Sequence, residues 1–131
     1  MHLIFTIPGR PFPHLRGEAF APLYINIYEV PGTLEWHFTA FHEIAHHVLG
    51  HAEIWPSQPT WQREYEADLY ALERMAELYC EETVYSMEQQ CKEQLRPSLQ
   101  TYLDCGITQH GEVDAAVWAG VPLDLDFVMQ H

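Results

Sequence analysis

The sequence predicts an α+β fold, mostly helical, with a small β-sheet ahead of a helix that carries a His-Glu-x-x-His pattern. Three observations point there. The run Leu23-Tyr24-Ile25-Asn26-Ile27-Tyr28 is β-branched and aromatic with no breaker, and Pro31-Gly32 closes it as a turn. Residues 34–49 follow a helical period between Thr33, a good N-cap, and Gly50, a residue suited to the left-handed end of a helix. A second helical stripe begins near Thr60, with Trp61, Ala67, Ala71, Leu72, Met75, Leu78 and Tyr79 on one face. With 131 residues, 47% hydrophobic and 13% aromatic, the chain is long and apolar enough for one core and reads as a single domain over 1–131.

The remaining elements follow in order. Residues 2–7 read as a short strand, and 8–22, with Pro8, Pro11, Pro13 and Pro22, as an irregular stretch. Pro56 and Pro59 make 51–59 a loop. The second helix is expected from Thr60 to Tyr79, running on or breaking once before Leu95, with Pro97 stopping it. Residues 98–131 read as a short helix, a turn at Gly106, an Ala- and Trp-containing element over 112–119, and an extended ending from Val121 to Phe127.

Charge limits the partners. Six Lys+Arg against 19 Asp+Glu give a net charge of −13, which argues against nucleic acid and against anionic membrane surfaces. Cys80, Cys91 and Cys105 form no CxxC pair, so neither a zinc knuckle nor a disulfide framework is expected, and reduced thiols fit a cytoplasmic protein. No basic segment precedes the first apolar run, which Pro8 and Gly9 end, so no signal peptide is expected. No run approaches the ~20 apolar residues of a membrane span. The chain has nine His, and five of them, His37, His42, His46, His47 and His51, fall within fifteen positions.

Residues 42–46 spell His-Glu-Ile-Ala-His. On a helix, positions i and i+4 share a face, so His42 and His46 can each give a ring nitrogen to one zinc ion. Glu43 lies about 100° further round, beside the metal, where it can act as general base toward a bound water. Leu34, Phe38, Phe41, Ala45 and Val48 form the expected apolar stripe next to the pair. Residues 64–68 read Glu-Tyr-Glu-Ala-Asp. Glu64 and Asp68 fall on the apolar stripe of the second helix, where carboxylates are costly unless paired or metal-bound. Glu64 is therefore the expected third ligand, and Asp68, one turn on, the expected acceptor for the far nitrogen of a zinc-bound His. Glu66 falls on the opposite, charged face with Arg63, Glu73, Arg74 and Glu77 and calls for no special role. Three protein ligands leave a fourth position for water, as in catalytic rather than closed structural sites. His47 reads as a surface or packing residue, and His51 as a residue at the rim or behind the ligands. Tyr28, Tyr65 and His37 are the candidate oxyanion donors. Two His and one carboxylate suit iron or manganese as well as zinc.

The two motifs together resemble the ImmA/IrrE group of gluzincin-type metallopeptidases. The resemblance rests on His42-Glu43-Ile44-Ala45-His46-His47-Val48-Leu49-Gly50-His51, on Glu64-Tyr65-Glu66-Ala67-Asp68, and on the lead-in Phe38-Thr39-Ala40-Phe41; it covers about residues 23–80. It implies a minimal zincin-like domain with zinc on His42, His46 and Glu64 and with Glu43 as general base. It further implies a hydrolase that cuts a protein substrate, such as a transcriptional repressor of a phage or mobile element. The helix-turn-helix segment that often accompanies such domains has no counterpart here, and 98–131 match no part of the pattern. The competing reading is a non-catalytic, peptidase-like antirepressor or inhibitor that binds a basic protein partner, toward which the charge would steer it.

Overall fold

The computed structural model describes residues 3–7, 15–20, 24–51, 60–104 and 112–122. Three short strands, β1 (Leu3–Thr6), β2 (Gly17–Phe20) and β3 (Tyr24–Ile27), precede four helices, α1 (Leu34–Val48), α2 (Thr60–Met75), α3 (Glu81–Asp104) and α4 (Glu112–Ala119). This is the predicted α+β order, with the sheet ahead of the helices. The chain forms two compact units, Met1–Val84 and Tyr85–His131, divided within α3. Among the described residues, no helix is long and apolar enough to cross a membrane.

In the first unit β3 is the central strand. β1 pairs with it in parallel, Leu3 opposite Tyr24, and β2 pairs antiparallel, Gly17 opposite Ile27. Alternation turns Ile25 and Ile27, both fully buried, onto one face, where they pack with Ala40, Trp36 and Ile44 of α1. β2 lies inside the stretch expected to be irregular. Gly17-Glu18-Ala19-Phe20 has no β-branched residue, so local propensity does not announce it. Its ladder to β3, extended by the Tyr28 N–H donating to the Arg16 carbonyl at 2.8 Å, holds it in place.

α1 begins as expected, with the Thr33 hydroxyl accepting from the Trp36 N–H at 3.2 Å. At its other end Gly50 adopts φ +77°, a conformation that other residues reach only at a cost. The Gly50 N–H then donates to the His47 carbonyl and the His51 N–H to the His46 carbonyl, a Schellman cap. Two side chains tie α1 to the sheet: Trp36 Nε1 donates to Thr6 Oγ1 at 3.1 Å, and His47 Nε2 donates to the Tyr24 carbonyl at 3.0 Å. The buried face is Phe38, Thr39, Ala40, Glu43 and Ala45; of the expected stripe, Val48 is 56% exposed. α1 meets both the sheet and α2, and the sheet contact brings Ala40 and Glu43 into the buried arc.

α2 ends at Met75, short of Tyr79, because the next turn has little to bury: Leu78 is 58% exposed. α3 restarts the helix with Glu81 and Glu82 at its positive end. Pro97 lies inside α3 instead of stopping it. Met87, Cys91, Leu95 and Leu99 are buried at four-residue spacing on either side of it, and Pro97 and Glu93, whose carbonyl loses its donor, are exposed to water. In the second unit Arg96 Nε donates to the Ala119 carbonyl, and the Lys92 ammonium stands 5.2 Å from the centre of the Trp118 ring. The expected loop at 52–59, the Gly106 turn and all but the first two residues of the extended ending lie outside the described residues.

Candidate metal centre

The site forms where α1 and α2 pack in the first unit. One helical turn separates His42 from His46 and brings their Nε2 atoms within 3.1 Å. Glu64, from the second turn of α2, places Oε2 2.9 Å from His42 Nε2 and Oε1 3.3 Å from His46 Nε2. Nitrogen and oxygen ligands sit about 2.0–2.1 Å from zinc, so two of them at a tetrahedral angle stand about 3.3 Å apart. The three observed separations match that spacing, and the donors are two imidazoles and a carboxylate, so the residues present fit a divalent ion.

The neighbours of these three residues have distinct places. Asp68 Oδ1 is 2.8 Å from His42 Nδ1 and accepts its proton when Nε2 is the free nitrogen. Glu43, only 7% exposed as a residue, holds its carboxylate 4.0 Å from His42 Nε2, beside the ligand cluster and not within it. His51 is buried at the Schellman cap, with Nδ1 3.1 Å from His46 Nδ1 and Nε2 3.4 Å from Glu66 Oε2.

Electrostatics follow from burial and pairing. Burial raises the Glu43 carboxyl above its ordinary value, against the pull of His42 and His46, with Glu64 and Glu18 adding to the rise. Burial alone would lower His42, but hydrogen bonds to Asp68 and Glu64 carry it well above its usual range. Burial alone would raise Glu64, but His42 and His46 hold it below the usual carboxylate range. His51 is lowered, by burial first and by His46 second.

A cavity of about 310 Å³ opens onto this cluster. Glu43, His46, His51, Arg63 and Glu64 line one side, and Gly17, Glu18 and Ala19 of β2 line the other. The Glu64 side chain is 46% exposed, so the cluster is reachable from solvent. Among the described residues no strand covers the outer side of β2, which lies beside the cavity.

All five residues singled out in the sequence, Glu43, His42, His46, Glu64 and Asp68, meet at this place. Glu66 departs from its expected outward, roleless position by facing His51. Arg63 likewise belongs to the cavity wall, with Nη2 donating to Thr60 Oγ1. Both sit on the face of α2 that reads as charged surface, and helix periodicity cannot tell solvent from a polar cavity. Of the candidate oxyanion donors, Tyr28 donates its hydroxyl to Glu18 Oε2 of the cavity wall at 2.8 Å, and His37 Nδ1 shares a hydrogen bond with the Tyr79 hydroxyl at 2.8 Å. Tyr65 is not among the described residues of the wall. No protein family, curated protein or solved structure matches the chain.

Proposed function

We propose that this chain is a zinc metallopeptidase of the ImmA/IrrE kind, which hydrolyses peptide bonds of a protein substrate in the cytoplasm. The observation that carries the reading is the convergence of His42, His46 and Glu64 with the buried Glu43 carboxylate beside them. His42, His46 and Glu64 would hold the ion. When bound, zinc supplies Lewis acidity to a water and to a substrate carbonyl. Glu43 takes a proton at its carboxylate as general base and gives it to the leaving amine, and its raised pKa brings it nearer to neutral operating conditions. The outer side of β2, which no described strand covers, would offer backbone N–H and C=O groups to an extended substrate adding as a strand along Gly17, Glu18 and Ala19. Arg63 is the cationic group of the wall and faces whatever carbonyl or carboxylate the substrate presents. The resemblance makes a repressor of a phage or mobile element the substrate class to test first.

Metal analysis of the purified chain, with cleavage of a quenched-fluorescent peptide library, tests the reading. One zinc per chain is expected, with Glu43→Gln keeping the zinc and losing cleavage. A chain that folds without metal and cleaves unaltered refutes it. The net charge of −13 favours a second reading, a non-catalytic binder of a basic protein. It is selected if Glu43→Gln leaves the biological effect intact.

A further inference from the structure

We propose that His51 and Glu66 are positioning residues for the same centre, a relay that holds His46 as Asp68 holds His42; this rests on the metal reading above. The argument begins with the backbone. The left-handed Gly50 folds the chain back so that the His51 N–H bonds to the His46 carbonyl, which lays the His51 side chain against His46. An apolar contact commonly occupies this place in a Schellman cap. Here two imidazoles meet instead, their Nδ1 atoms 3.1 Å apart, and His51 is only 4% exposed.

Proton placement then follows around the chain of groups. His46 turns Nε2 toward His42 Nε2 and Glu64, so as a ligand it keeps its lone pair there and its proton on Nδ1. That N–H faces His51 Nδ1, which must accept. With Nδ1 accepting, His51 carries its proton on Nε2, and this N–H points at Glu66 Oε2 at 3.4 Å, a long hydrogen bond to a carboxylate. Glu66 thus selects the His51 tautomer and His51 selects that of His46. The opposite tautomer of His51 would set N–H against N–H at the buried contact.

The test uses the full chain and reads zinc affinity by competition with a chromophoric chelator, alongside the visible spectrum of the Co²⁺ form and the thermal midpoint of the metal-free form. His51→Phe keeps the ring and removes the acceptor; zinc binding should weaken about 10–100-fold, the usual effect of losing such a partner. His51→Asn places Oδ1 where Nδ1 stood and should recover part of that loss. Glu66→Gln should weaken zinc by less and shift the Co²⁺ bands. A role confined to capping and packing would move the thermal midpoint and leave Asn no better than Phe. The proposal is overturned if wild type and His51→Phe bind zinc alike, or if Asn brings no recovery. If His51→Phe does not fold, wild-type affinity in both His51→Asn and Glu66→Gln overturns it. A wild-type chain that binds no metal overturns the metal reading and this proposal together, whereas tight wild-type binding with unchanged variants overturns this proposal alone.

Discussion

Gly17 is the point where β2 presses on α1, and replacing it with alanine gives a sharp test of the site's packing. A Cβ there would stand 2.6 Å from Thr39 Cγ2, 3.0 Å from the Asn26 carbonyl oxygen and 3.1 Å from Glu43 Cγ. Carbon atoms in contact ordinarily stand about 3.5–4.0 Å apart, so α1 and β2 must part by about 1 Å to admit the methyl group. Overpacking on this scale costs about 1–3 kcal/mol, read as a lower urea midpoint with an unchanged slope. A shift of about 1 Å at Glu43 can also lower turnover on the order of 10²-fold in the peptide-cleavage assay. Zinc affinity should move far less, since none of the three proposed ligands lies on β2 and Glu43 is not among them. Thr39→Ser removes the closest atom, so the double variant should regain part of the lost stability, with a coupling of about 0.5–3 kcal/mol. Wild-type stability in Gly17→Ala, or strict additivity in the double variant, would refute the reasoning.

Other expectations can be checked on the same preparations. Asp68→Asn weakens the acceptor that holds His42 and should loosen zinc about 10–100-fold in the chelator competition, with no change showing the contact to be incidental. Met75→Ala empties a fully buried position at the end of α2 and should cost about 2–5 kcal/mol in urea unfolding. In the metal-free chain His42 is raised above its ordinary 6.5, so its contribution to stability is full below pH 6.5 and is lost as pH climbs through the folded value. Glu64 is lowered from 4.5, so its contribution is present above pH 4.5 and is lost as pH falls through the folded value. The pair therefore favours the metal-free fold most between pH 4.5 and 6.5, as thermal midpoints across pH should show. Zinc affinity runs the other way: His42 must release its proton, so binding should tighten by up to about tenfold per pH unit, and a flat profile between about pH 6 and 8 would contradict this.

Much of this arrangement is legible in residue order because local rules govern it. The strand at 24–27, the Thr33 cap, the Gly50 end and the i, i+4 histidines all depend on neighbours a few residues away. The pairing of Glu64 and Asp68 with those histidines is long-range, yet it shows as two carboxylates misplaced on an apolar stripe. β2 is not legible, because Gly17-Glu18-Ala19-Phe20 becomes a strand only through its partner β3. Pro97 misleads because its cost falls on an exposed carbonyl while Leu95 and Leu99 remain buried beside it. Arg63 and Glu66 mislead because charge on a helix face looks the same whether it meets bulk water or a cavity.

The glycine that ends α1 has a consequence for how such chains can be told from look-alikes. Three fixed letters in five positions are a thin signature that unrelated helices satisfy by accident. The cap enlarges it: glycine four residues after the second histidine, and a further histidine immediately beyond, cannot be exchanged independently, since one supplies the fold-back that the other uses. Joined to the glutamate, glutamate and aspartate at alternate positions from 64 to 68, the signature becomes eight letters in two blocks. The eight letters together name the residues that the proposed centre and its relay use, together with the glycine that folds the chain back between them.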